Sequence, residues 1–178
     1  MDRIISSESL YQGQVFNIRK DKVRLSNSDQ VVNRTVIEHP GSVAIIAMDD
    51  DNNVYMVSQY RHPTGMTLME IPAGTLNEGE SAYEAAHREL REEIGMLPKT
   101  LMLLGEFYLA PGYSSEIMQV YLGTDLEYSP LAQDDDEDIK VHLVPLRTLM
   151  EYISQGDIVD MKTIASLLLL TQNKNLIQ

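Results

Sequence analysis

The run from Gly74 to Met96, Gly-Thr-Leu-Asn-Glu-Gly-Glu-Ser-Ala-Tyr-Glu-Ala-Ala-His-Arg-Glu-Leu-Arg-Glu-Glu-Ile-Gly-Met, constrains the fold of this chain more than any other stretch. Its second half predicts a helix. Ser81 and Glu84 form an S-x-x-E capping box, the interior is rich in Ala, Leu, Glu and Arg, and Gly95 supplies a stop. At about 100° per residue, Tyr83, His87, Leu90 and Ile94 fall in one stripe suited to packing. Glu89, Glu92 and Glu93 share a separate arc, bordered by Ala82, Ala85 and Ala86. The carboxylates therefore stand beside small side chains that leave room above them.

Like charges at neighbouring helical positions cost a few tenths of a kcal/mol per pair unless a cation answers them. Arg88 can answer Glu84 or Glu92, but it is one cation among several acids. The deficit suits a hard divalent cation such as Mg²⁺, which takes carboxylate oxygens, keeps several waters and bridges to substrate phosphates. On the residues alone, a solvated acidic helix face is the more ordinary reading of a generic charge run.

The spacing is more specific than that. Gly, five residues, Glu, seven residues, Arg-Glu, an aliphatic residue, any residue, Glu-Glu, any residue, Gly and an aliphatic residue all occur in register. Fixed identities at this spacing arise by chance on the order of once in 10⁸ trials. The pattern resembles the signature of the Nudix hydrolases. Three further features resemble the ADP-ribose pyrophosphatase subgroup: Pro111, sixteen residues beyond Gly95; Arg61 through Glu70-Ile-Pro-Ala-Gly74; and the loop Pro111-Gly-Tyr-Ser-Ser-Glu116.

Composition bounds the partners. A chain of 178 residues suits one catalytic domain with a small appended element. Its net charge of −13 argues against nucleic-acid and anionic-membrane binding, both of which need a basic face. An anionic substrate must then be drawn in by metal ions and a few arginines. Without cysteine there are no disulfides, thiolate zinc sites or cysteine nucleophile. Met1 to Ser6 lacks the apolar core of a signal peptide and no apolar run approaches a membrane span, so a soluble cytoplasmic protein is expected.

Along the chain, polar and apolar residues alternate through Leu10–Ile18, Asp21–Leu25 and Val31–Glu38, predicting a small antiparallel meander of half-buried strands over residues 1–38. Such a sheet is marginal alone and needs a partner surface, either the domain's own body or a second subunit; together with the subgroup resemblance this implies a homodimer. In the second segment, 39–178, Ser42–Met48 reads as a buried strand. Asp49-Asp-Asp-Asn-Asn53 reads as a hairpin turn, since no Gly and no Glu complete a calcium-loop spacing. Val54–Arg61 and Met66–Ile71 precede the helix, and strands over Leu101–Leu109, Ile117–Gly123 and Ile139–Val144 follow it. Helices from Pro145 to Tyr152 and Met161 to Leu170 close the chain. This order is α+β. The resemblance implies the topology, an α/β/α sandwich with a mixed central sheet.

The resemblance also implies roles. Glu89 and Glu93 would be metal ligands, Glu92 a ligand or a carboxylate acting through water, and the Ala73 carbonyl a further oxygen. Gly74 would permit the turn that delivers that carbonyl. Arg88 would orient the glutamates, and Glu80 would act less directly. The base would come from the acidic loop Asp134–Asp138, with Glu137 the choice and Asp135 its competitor. Arg34 and Arg61 suit a diphosphate, because a guanidinium fork matches phosphate oxygens. Glu38 suits a ribose hydroxyl, Tyr113 or Phe16 an adenine, and Glu116 either a supporting or a substrate-contacting role. The four histidines show no metal spacing. The expected activity is Mg²⁺-dependent, with Mn²⁺ as an alternative: hydrolysis of ADP-ribose to AMP and ribose 5-phosphate. Other nucleoside diphosphate derivatives (nucleotide sugars, NADH, diadenosine polyphosphates) are the alternative substrates. A non-catalytic nucleotide-sugar sensor is the rival that the intact glutamates argue against.

Overall fold

A computed structural model describes residues 1–28, 30–133, 138–173 and 176 of the chain. The described residues form two compact units, Met1–Gly41 with Phe107–Met118, and Ser42–Glu106 with Gln119–Gln178.

The first unit is built on an antiparallel meander of β1 (Arg3–Gln12), β2 (Asn17–Arg24) and β3 (Val31–Glu38). β3 has the expected bounds. The strand expected over Leu10–Ile18 does not form; the chain turns there instead, with the Gly13 amide donating to the Phe16 carbonyl at 3.2 Å. A Cβ at Gly13 would lie 2.9 Å from the Phe16 carbonyl oxygen that closes the turn, which is why glycine suits it. Alternation continues across this turn, which is why periodicity hides it. The expectation of half-buried strands fails for β1, which is exposed at every position. Asp21 is the buried polar centre of the meander, accepting from the Ser7 hydroxyl at 2.7 Å and from Arg19 Nε at 3.0 Å.

The second unit carries a mixed sheet with the order β10-β5-β4-β9-β8 and three helices. Its elements are β4 (Ser42–Met48), β5 (Asn53–Arg61), β6 (Met66–Glu70), β7 (Ala73–Thr75), α1 (Ala82–Glu93), β8 (Met96–Tyr108), β9 (Ile117–Tyr128), β10 (Lys140–Pro145), α2 (Leu146–Gln155) and α3 (Met161–Gln172). β6 adds to β5, and β7 adds to β4. β4 is buried at all positions because it is covered on both faces. Val43, Ile45 and Ala47 pack with Ala85, Ala86 and Leu90 of α1, with Ile94 just beyond it and with Tyr121. The alternate residues of β4 point to the opposite face by the two-residue period of a strand, and α3 also packs on β4. This is the expected α/β/α arrangement.

The Asp49 segment is the hairpin turn that its composition predicts. Asn52 sits at φ 59°, its amide donates to the Asp49 carbonyl at 3.1 Å, and the Asp49 carboxylate accepts from the Asn53 amide at 2.8 Å. β8 starts at Met96, earlier than Leu101. The pattern is broken by Pro98, which a strand at the end of the sheet order tolerates because one side needs no ladder donor.

Candidate active site

α1 is anchored at its start by the capping box. The Ser81 hydroxyl accepts from the Glu84 amide at 3.3 Å and the Glu84 carboxylate accepts from the Ser81 amide at 2.9 Å. It ends at Gly95, whose φ of 73° suits a residue without a side chain. Of the expected stripe, Leu90 and Ile94 are buried, but Tyr83 and His87 are not. The buried residues of α1 are Ala85, Ala86, Glu89, Leu90 and Glu93, while Tyr83 is exposed and rests on His87 with ring centroids 4.5 Å apart. The reason is size: the alanines let the helix approach β4 and β7 closely, and the acidic arc beside them is carried inward. Glu89 keeps 7% and Glu93 2% of its surface.

β7 supplies the other wall. Gly74 pairs with Val43 and Ala73 with Ala44, and the Ala73 amide donates to Glu93 Oε2 at 3.3 Å. Gly74 is not in the left-handed backbone region, so conformational freedom is not what it contributes, contrary to expectation. A Cβ there would stand 1.7 Å from Glu89 Oε1. The missing side chain is the space the carboxylate occupies.

Arg88 organises the acids. It donates from Nε to Glu80 at 2.8 Å, and from Nη1 to Glu89 at 2.7 Å and Glu92 at 2.8 Å. A further Nη2 bond reaches the Thr75 carbonyl at 3.1 Å. Its pKa is raised, foremost by the Glu80 hydrogen bond, and the same bond holds Glu80 below the usual carboxylate value. Arg88 thus answers Glu80, Glu89 and Glu92. Glu84, the other expected partner, is committed to the helix cap.

Beside this wall lies a second charged cluster. Arg61 forks onto Glu70, Nε to Oε1 at 2.9 Å and Nη2 to Oε2 at 2.7 Å. Glu70 is 1% exposed and also takes the Lys162 ammonium. Lys162 in turn meets Asp160 at 3.0 Å. Asp160 caps α3, accepting from the Thr163 amide at 3.0 Å, and the Thr163 hydroxyl oxygen accepts from the Ile71 amide at 2.9 Å. Burial alone would raise the Glu70 carboxyl, but the Arg61 hydrogen bonds and the charge of Lys162 leave it lowered. Arg61 is raised, first by its bonds to Glu70, with Glu93 adding to the field. Glu70 was legible only as part of a motif. Lys162 carried no sequence signal, because it reaches Glu70 across 92 residues of chain.

The remaining candidates lie in the first unit. Arg34 is exposed on β3 opposite Asp21, and Glu38 pairs with Arg19. Pro111 and Tyr113 are exposed in the loop before β9. That loop is tied to β3: the Ile37 amide donates to the Tyr113 carbonyl at 2.8 Å, and Ser115 returns the bond to the Ile37 carbonyl at 2.9 Å. Glu116 lies 3.9 Å from His39 Nδ1, and Phe16 sits against Tyr11. Glu137 and Asp135 lie outside the described residues.

Glu89, Glu93 and the Ala73 carbonyl offer only oxygen donors, the set a hard divalent cation prefers. The Gly74 cradle keeps a side chain out of their way. These residues fit such an ion, with Glu92 as a further carboxylate. Among the described residues no three acids or histidines already converge as a cation cage; Arg88 supplies the countercharge.

Residues 38–164 match the NUDIX domain. The ADP-ribose pyrophosphatase of Mycobacterium tuberculosis is 42% identical over 167 residues, covering 92% of this chain and 80% of the relative. The ADP-ribose pyrophosphatase of Bacillus subtilis is 34% identical over 164 residues, covering 91% and 88%. The crystal structure of an ADP compounds hydrolase superposes with a TM-score of 0.82 at 26% identity, covering 96% of this chain and 92% of that one.

Proposed function

The chain belongs to the Nudix family as a pyrophosphohydrolase, and from that premise we propose that it hydrolyses ADP-ribose to AMP and ribose 5-phosphate. The observation that carries this reading is the α1–β7 wall: buried Glu89 and Glu93 against Ala73 and Gly74, with Arg88 holding Glu80, Glu89 and Glu92. The relatives named ADP-ribose pyrophosphatase support the substrate.

Magnesium, or manganese in its place, would be held by Glu89, Glu93, Glu92 and the Ala73 carbonyl, with Glu137 as a further acid. When bound, such an ion neutralises pyrophosphate charge and lowers the pKa of bound water. The protein's own contribution is positional. Arg88 fixes the carboxylates, Gly74 gives Glu89 its space, and Arg61 offers a guanidinium to the diphosphate. In the first unit we assign Arg34 to the diphosphate, Glu38 to a ribose hydroxyl, Tyr113 to the adenine face, and Pro111 and Glu116 to the shape of the substrate loop. Glu137 is the assigned base.

Product analysis with ADP-ribose, NADH, diadenosine polyphosphates and nucleotide sugars in magnesium buffer tests the reading. AMP and ribose 5-phosphate from ADP-ribose are expected. Turnover confined to another nucleoside diphosphate derivative would replace the substrate while leaving the enzyme class.

We also infer a cytoplasmic homodimer. Ile4, Ile5, Leu10, Tyr11, Val15 and Val31 of the first unit each expose about half their surface; those that share a face of β1 offer apolar area that a second copy would cover. No described helix is long and apolar enough to cross a membrane. Sedimentation at micromolar concentration should give twice the monomer mass of 20.1 kDa; a monomer would oppose this assignment.

A further inference from the structure

We propose that Lys162, which belongs to no sequence motif, is a positioning residue that keeps Arg61 aimed, and its charge unspent on Glu70, for an anionic diphosphate. This rests on the reading of Arg61 given above. A carboxylate forked onto an arginine holds the guanidinium still but also cancels its charge. Glu70 would do both to Arg61 if it had no other partner. Its Oε2 is shared, however, with the Lys162 ammonium, whose side chain is only 12% exposed, against 37% for Arg61.

The consequence is a division of labour. Lys162 is too enclosed to serve a ligand and takes up the charge of Glu70 from within. Arg61 keeps the geometric hold of the fork, which uses Nε and Nη2 and leaves the Nη1 end out of it. Asp160 does not undo this, although it touches Lys162 at 3.0 Å. It accepts the Thr163 amide and hydroxyl at 3.0 and 2.6 Å and stands at the positive end of α3. Thr163 then holds the Ile71 amide, so α3 steadies both Arg61 and the strand that leads to Ala73.

The test is a double-mutant cycle on the full chain, reading ADP binding in magnesium buffer by titration calorimetry. Lys162→Gln should weaken ADP about tenfold in the native background and by less than about twofold in the Arg61→Gln background. Lys162→Arg should restore binding to within about threefold of the native chain, since it returns the charge. A purely structural lysine would give equal losses in both backgrounds, and that result, or no loss at all, would overturn the proposal. So would a native chain that does not bind ADP. With ADP-ribose as substrate, KM should rise while kcat stays within about twofold. A native chain that binds ADP without hydrolysing ADP-ribose would refute the substrate reading while the binding cycle still decides the role of Lys162. Should Lys162→Gln not fold, Asp160→Asn keeps the helix cap and leaves Lys162 wholly to Glu70. ADP binding must then be unchanged or tighter; a weakening would overturn the proposal.

Discussion

A Cβ on Gly74 would lie 1.7 Å from Glu89 Oε1 and 2.0 Å from its Cδ. An alanine there must push the carboxylate away from the position that Arg88 and the α1 packing give it. The strand itself suffers little, because Gly74 pairs with Val43 through its backbone and has an ordinary φ. Gly74→Ala should therefore keep its fold, read by circular dichroism and calorimetry, while turnover falls about 10- to 100-fold, the range for disturbing a metal site's support. Full activity would show that Glu89 does not need its present place. The motif marks Gly74 by identity, but the reason for the glycine is the distance to a side chain fifteen residues on. No spacing rule contains that distance.

The elements around the site differ in what holds them. α1 depends on its first turn, where Ser81 and Glu84 satisfy one another's amides at 3.3 and 2.9 Å, and on Ala85, Ala86 and Leu90 in the core. Ser81→Ala removes a cap worth about 1 kcal/mol. In a chain of this size that lowers the melting temperature by about 2–4 °C. Turnover below the transition should be unchanged, because Glu89 and Glu93 lie two to three turns further along; a loss of activity without a loss of stability would contradict this. The cap, the helix and its glycine stop were all legible, since each is a local rule. The rotation of the helix was not. Tyr83, His87, Leu90 and Ile94 suggested one buried stripe; Leu90 and Ile94 are buried, whereas close approach of the alanines to β4 and β7 put Glu89 and Glu93 inside and left Tyr83 in solvent.

Across the whole molecule, the acid response follows from a buried and a half-buried carboxylate that stay ionised. Glu70 and Glu80 titrate below their ordinary 4.5. For Glu70 the cost of burial is outweighed by Arg61 and Lys162; for Glu80 the Arg88 hydrogen bond leads. The unfolded chain thus binds these protons more tightly than the native one. Their stabilisation is complete above about pH 4.5 and is lost as pH falls through the lowered native values. Urea midpoints should be flat from neutrality to about pH 5 and fall below it. Glu70→Gln should shrink that fall and lower the plateau by about 3–5 kcal/mol, the cost of breaking a buried ion pair. A midpoint that rises on acidification would be incompatible with this network. The sequence by itself determined the α+β element order, the capped helix, the Asp49 turn and the oxygen-rich carboxylate face of α1, because these depend on neighbours within a few residues or on a fixed spacing. The tertiary structure decided the inward turn of α1, the exposure of β1, the turn at Gly13 and the alliance of Lys162 with Glu70. Each of these turns on which distant surfaces meet, and a charge such as that of Lys162 acquires its role only when packing brings its partner across the chain.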